Sequence, residues 1–207
     1  MTGPTDSATR RDDWGEFMER PAAYIDGGRL DACFGNEFGA ALCDRLRTSI
    51  RLRERISAVV RAHYALVPPV AQDTCGDIDR NIALSLAAHL IDIAQRSGAV
   101  FWASTLANVI LARQVEALRR QLGDALYNYA LANRDLSGPA QALEPLDSIG
   151  SRVAQDGWRC FGAWCDALPA GVGARVRLKL AANVSLEQYP EGPFQEYGPP
   201  IVRRAAG

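Results

Sequence analysis

Residues 146–168 read LDSIGSRVAQDGWRCFGAWCDAL. Ile149, Val153, Trp158, Phe161 and Trp164 recur in this stretch at helical intervals, and Pro169, Gly171 and Gly173 stop it, so the pattern predicts a strong helix over about Leu146–Leu168. Working outward, residues 134–145 hold Ser137-Gly138-Pro139 and Pro145 and read as a linker. Upstream of it, Ala99–Gln121 reads as a helix that is apolar nearly all round at first, which implies burial on several sides. Leu122-Gly123 interrupts it and Asp124–Asn133 resumes. Downstream, Arg175–Leu180 alternates Arg-Val-Arg-Leu-Lys-Leu and reads equally as a short strand or a helical turn. From residue 187 to residue 207, Pro190, Pro193, Pro199 and Pro200 predict a proline-rich tail with few ways to pack.

The N-terminal half follows the same rules. Residues 1–16 are polar and charged and read as a mobile leader. Pro21, Gly27, Gly28 and Gly35 limit residues 17–36 to short turns. From Glu37 a helix is predicted, with Leu42, Leu46, Ile50, Leu52, Ile56, Val59, Val60 and Tyr64 on one side and Arg47, Arg51 and Arg55 opposite, until Pro68-Pro69 ends it. Asp77 is a candidate N-cap for a helix striped by Ile82, Leu86, Leu90 and Ile93, which Ser97-Gly98 is expected to break. Strand-like runs are nearly absent. The fold class is therefore all-α, an irregular multi-helix bundle of about five main helices, with a single helical domain over 17–186.

The composition excludes several functions. The 207 residues are 48% hydrophobic and 23% charged, which is ordinary for a globular chain. A net charge of −1 argues against non-specific binding to nucleic acid or anionic membrane. Five scattered cysteines, Cys33, Cys43, Cys75, Cys160 and Cys165, are not a disulfide framework. Met1–Glu19 lacks the apolar core of a secretory signal. The longest uncharged run, Ser97–Ala112, is shorter than the roughly 20 residues of a membrane span. These features predict a cytoplasmic protein.

Motifs for chemistry are absent. His63 and His89 belong to no metal-binding spacing and read as core or boundary histidines. Asp73, Asp77 and Asp79 resemble the start of a calcium loop, but Leu84 stands where its bidentate glutamate belongs. Cys160 and Cys165 flank Phe161 and Trp164, an apolar setting that opposes thiolate formation. No phosphate loop or nucleophile elbow surrounds Lys179, the only lysine. No catalytic, cofactor-binding or metal-ligating residue is assigned. The stripe Arg47, Arg51, Arg55 is offset only by Glu54; its bland reading is a solvated face and its sharp one a patch for an acidic partner surface. Trp158 and Trp164 read as core. A small-molecule-binding helical regulator is the alternative class, with the Ala99–Ala112 helix and residues 158–164 lining a pocket.

Three segments taken in order carry a family resemblance. They are Arg20-Pro21-Ala22-Ala23-Tyr24-Ile25 with Leu30 and Phe34; Leu106–Leu131, with Val115-Glu116-Ala117-Leu118-Arg119 and Leu122-Gly123-Asp124-Ala125-Leu126-Tyr127; and Ile149–Leu180, with Gly157-Trp158, Trp164, Leu168-Pro169, Arg175 and Leu178-Lys179-Leu180. The series resembles the SctK (YscK/Hrp-type) accessory proteins of bacterial type III secretion systems over about residues 20–180. Ala181 stands where that family often has proline, and the leader and tail lie outside its pattern. The resemblance implies a helical, non-enzymatic, cytoplasmic adaptor without cofactor, peripheral to the inner-membrane secretion apparatus. It would sit in the sorting platform of the injectisome and link the C-ring-like SctQ component to the cytoplasmic domain of the inner-membrane ring protein SctD. The ATPase SctN and its regulator SctL would be reached indirectly.

Overall fold

The computed structural model describes residues 13–207. All regular structure among the described residues is helical, in line with the helical periodicity of most apolar runs. The helices gather into two compact units, residues 1–87 with 168–182 and residues 88–167 with 183–207, where the sequence reading expects one domain over 17–186. The chain thus leaves the first unit, builds most of the second, and returns.

The first unit contains residues 13–19 (α1), Gly27–Ala32 (α2), Gly39–Thr48 (α3), Arg53–His63 (α4), Asp77–Leu84 (α5) and, from far along the chain, Val172–Leu178 (here α11). Of the expected leader, residues 1–12 lie outside the described residues; residues 13–16 belong to α1, where Trp14 is buried. Asp26 caps α2 by accepting from the backbone N–H groups of Gly28 and Arg29 at 3.0 and 3.2 Å. Ala22, Ile25, Leu30, Cys43, Ile56, Val60 and Leu178 form the core. The single helix expected from Glu37 to Pro68 is two helices, parted at Ser49–Leu52. Thr48 turns its hydroxyl back onto the carbonyls of Asp44 and Arg45, and Ser49 is extended, so the local hydroxyl chemistry competes with helix continuation. The break leaves Ile50 82% exposed and lets Ile56 and Val60 face the core. The segment 175–180, open between strand and helix in sequence, is the end of α11 and the turn after it.

The second unit is Ala87–Phe101 (α6, shared at its first residue), Ala103–Ala107 (α7), Ala112–Leu122 (α8), Asp124–Ala132 (α9), Ile149–Ala167 (α10), Val184–Glu187 (α12) and Pro193–Ala205 (α13). Helix α10 is its centre, and small residues admit its neighbours. At the crossing with α6, a Cβ on Gly98 would lie 2.0 Å from the Val153 carbonyl oxygen, and one on Gly157 would lie 2.2 Å from that of Ala94. Only glycine allows this approach. Ser97-Gly98 is therefore a contact inside α6 and not the expected break; the Ser97 hydroxyl is satisfied by the Ile93 carbonyl at 2.8 Å. The expected helix over 99–121 is instead divided by a loop at 108–111. At Leu122-Gly123 the expected interruption is present, with Gly123 at φ +83°.

The proline-rich segment is not a tail. Helix α13 starts on Pro193, where a missing N–H costs nothing, and packs Ile201, Val202 and Ala205 into the unit. Pro199 and Pro200 remove two helical donors, but Gln195 and Glu196, four residues before them, are exposed and can turn to water. Phe194 stacks on Phe101 with ring centroids 4.7 Å apart. The linker at 134–145 is likewise tied down: Gly138 N–H donates to the Phe101 carbonyl at 3.0 Å and Gln141 N–H to the Thr105 hydroxyl at 2.8 Å.

Candidate partner-binding surface

The arginine stripe is dissolved by the break between α3 and α4. Arg47 ends α3 half-buried, donating to the Ile25 carbonyl at 3.2 Å and to the Asp44 carboxylate at 3.1 Å, so it holds the fold of the first unit. Arg51 lies in the turn and Arg55 on α4; both are exposed. On α4, Arg55 and the partly exposed Val59 are four residues apart and share a face. Next to Arg51, Ile50 projects into solvent. What remains of the predicted patch is Arg51 and Arg55; Ile50 and Val59, expected on the opposite apolar side, are exposed near them in the chain, so this stretch presents basic and apolar side chains together. Such a surface can engage a protein by apolar burial with charge-assisted bonds at its edge.

The first and last segments of the family resemblance meet in this same unit. Asp26 N–H donates to the Leu178 carbonyl at 2.8 Å, and Arg29 Nε donates to the Leu180 carbonyl at 2.6 Å. Arg175 is fully buried and spends its guanidinium on three carbonyls: Met18 at 2.8 Å, Gly171 at 3.0 Å and Val67 at 3.1 Å. One side chain thereby ties α1, the start of the α4–α5 connection and α11 together. Lys179 is buried four residues on. Its ammonium donates to the carbonyls of Ala83 and Ser85 at 2.7 and 2.9 Å, and lies 4.9 Å from the Phe17 ring centroid and 5.4 Å from that of Tyr24. Among the described residues neither cation has a carboxylate partner. Burial lowers the Lys179 pKa to about 8 and pushes the Tyr24 hydroxyl up. Sequence reading assigned no role to this pair. The available signal was one lysine among arginines, four residues after Arg175.

Beside α1 lies an open groove of about 540 Å³, lined by Trp14, Met18, Pro69, Val70, Asp73 and Arg80. Trp14 Nε1–H donates to the Val70 carbonyl at 3.1 Å and fixes one wall. Arg80 pairs with Asp77, and its buried Nε finds no acceptor among the described residues. Asp77 is thus the first residue of α5 and an ion-pair partner; Gly76 holds the cap position.

The other residues singled out in the sequence do not converge. His63 and His89 are both exposed, not core, because the helices carrying them end sooner and turn differently than one long stripe implies. His63 sits edge-on to Tyr64 at 4.8 Å. Cys160 and Cys165 are buried in α10; burial, and then the nearby Asp156, push the Cys160 thiol well up, the direction opposite to an activated thiolate. Asp156 is itself occupied by Trp102 Nε1–H at 2.8 Å and Arg159 at 3.1 Å. Trp164 is core and Trp158 half-buried. No group of three or more metal-ligating side chains is found among the described residues, and no helix there is long and apolar enough to cross a membrane. No family model, curated protein or solved structure matches the chain.

Proposed function

We propose that the chain is a non-enzymatic adaptor of a type III secretion sorting platform, cytoplasmic and peripheral to the inner membrane, that links an SctQ-like C-ring component to the cytoplasmic domain of an SctD-like ring protein. The observation that carries the reading is the meeting of the resembling segments. The Pro21–Ile25 element and the Leu178-Lys179-Leu180 element lie more than 150 residues apart, yet Ile25 and Leu30 share a core with Leu178, and Asp26 and Arg29, just past the first element, donate to the carbonyls of Leu178 and Leu180. The exposed Ile50, Arg51, Arg55 and Val59 supply a surface for a partner, and avidity on a repeating assembly would let each contact be weak.

The test is co-expression with an SctQ-type protein and with the cytoplasmic domain of an SctD-type protein, followed by size-exclusion chromatography. Co-elution with both supports the adaptor. Failure to bind either, with the chain folded by circular dichroism, removes the reading.

A further inference from the structure

Helix α7 ends at Ala107 and α8 begins at Ala112; between them the chain reads Asn108-Val109-Ile110-Leu111. Loop tips usually carry glycine, proline, asparagine, aspartate or serine, which form turns and stay wet. Here Ile110 is 92% exposed, the most exposed large apolar side chain among the described residues, and Leu111 is 64% exposed. The tip is not a displaced piece of core, since Leu106 before it and Leu118 after it are both fully buried. Beside the tip runs an open groove of about 410 Å³ whose walls include the partly exposed Val109, Val115 and Leu131 over the buried Leu106 and Tyr127. A knob and a groove therefore stand side by side on α7, α8 and α9.

The rim is basic. Arg119 and Arg134 line the groove. Arg119 is answered by Asp124 at 2.7 Å and lies over the Tyr127 ring at 4.9 Å. Exposed Arg134, and exposed Arg113 just past the tip, have no ion-pair partner among the described residues. The local acids are already engaged: Glu116 by Arg120 at 3.9 Å and Asp135 by Arg204 at 3.2 Å. The charge left over is positive.

We infer that this knob and groove are a docking surface for an amphipathic helix of a protein partner whose apolar stripe is bordered by acidic residues. The groove takes the stripe, the tip inserts Ile110 and Leu111 beside it, and Arg113 and Arg134 meet the carboxylates. A second copy of this chain fits worse, because it would bring the same unpaired arginines to the same rim. A bilayer fits worse too, since a flat lipid surface would cover the tip and leave the groove unfilled. The inference goes beyond the adaptor reading: it stands on residues of the second unit alone and names no component of the secretion platform.

The test uses the full chain and a display library of amphipathic helices of about 15 residues, long enough for helix formation. Apolar positions are kept and the flanking positions randomised between Glu and Lys. Selection should enrich Glu. The enriched peptides should bind Ile110→Asp at least tenfold more weakly, a typical loss for an interface anchor. On Arg113→Glu/Arg134→Glu the preference should turn toward Lys. All three residues are exposed, so helicity and the urea midpoint should stay at wild-type values. Failure to enrich any peptide, enrichment without an acid bias, or binding that ignores both variants overturns the proposal. So does a result in which Ile110→Asp instead abolishes self-association or binding to phosphatidylserine vesicles while peptide binding persists.

Discussion

Lys179 is cut off from water on nearly every side, and its amine titrates near pH 8 as a result. An unfolded lysine holds its proton to about pH 10.4. Between those values the unfolded chain binds more protons than the folded one, so this residue adds stability as pH rises. Tyr24 and Cys160 act in the opposite sense, since burial raises both and their share is lost once the unfolded groups ionise. The clean measurement is therefore a difference. The urea midpoint of the wild type minus that of Lys179→Met should grow from about pH 8 to about pH 10. A flat difference would mean that the two carbonyls and two rings around the ammonium hold it charged throughout. The arginines separate in the same residue-by-residue way. Arg51→Glu/Arg55→Glu should weaken pulldown of an SctQ- or SctD-type partner while leaving the melting curve in place. Arg47→Glu should lower stability by about 1 kcal/mol through its lost bond to the Ile25 carbonyl. Equal pulldown by the Arg51/Arg55 variant and the wild type would mark that surface as merely solvated.

Among the helices, the crossing of α6 and α10 carries the sharpest consequence. Gly157→Ala gains about 1 kcal/mol in helix propensity. Against that, its new methyl would press to 2.2 Å from the Ala94 carbonyl oxygen, a backbone atom that cannot swing aside, so the overpacking cost lies near the top of the usual range of about 1–3 kcal/mol. The steric term wins, so Gly157→Ala and Gly98→Ala should each lower the urea midpoint. Gly150→Ala on the same helix, where a Cβ would meet nothing closer than 3.7 Å, should not. The same crossing explains why Ser97-Gly98 misleads a reader of the sequence. A glycine that ends a helix and one that admits a neighbouring helix look identical until the neighbour is known. Helix α13 misleads for the converse reason: its prolines read as breakers, yet its start tolerates one, and the two inside it fall where the residues four positions earlier, Gln195 and Glu196, are exposed.

For the molecule as a whole, the path of the chain matters more than any one element. The first unit is incomplete at Ala87, because α11 supplies Arg175, Leu178 and Lys179 to it from beyond residue 168. A fragment ending at Ala87 would leave the Met18, Val67, Ala83 and Ser85 carbonyls without these donors and the core without Leu178. It should melt without a cooperative transition, and a synthetic peptide of residues 168–182 should restore one. A fragment that melts cooperatively by itself would show that α11 is dispensable.

The helical class, the long α10 and the Gly123 turn were legible from residue order, because 3.6-residue periodicity and backbone-restricted residues act over a few neighbours. The arginine stripe was not legible as a surface: the break at Ser49 that leaves Arg47 half-buried on the Ile25 carbonyl and Arg51 exposed in a turn depends on what the core demands of Ile56 and Val60. The division into two interleaved units, the burial of Arg175 and Lys179, and the knob and groove at Ile110 came only with tertiary structure. Each depends on contacts between residues tens to more than a hundred positions apart, and local propensity carries no information about which distant carbonyl, ring or helix will arrive.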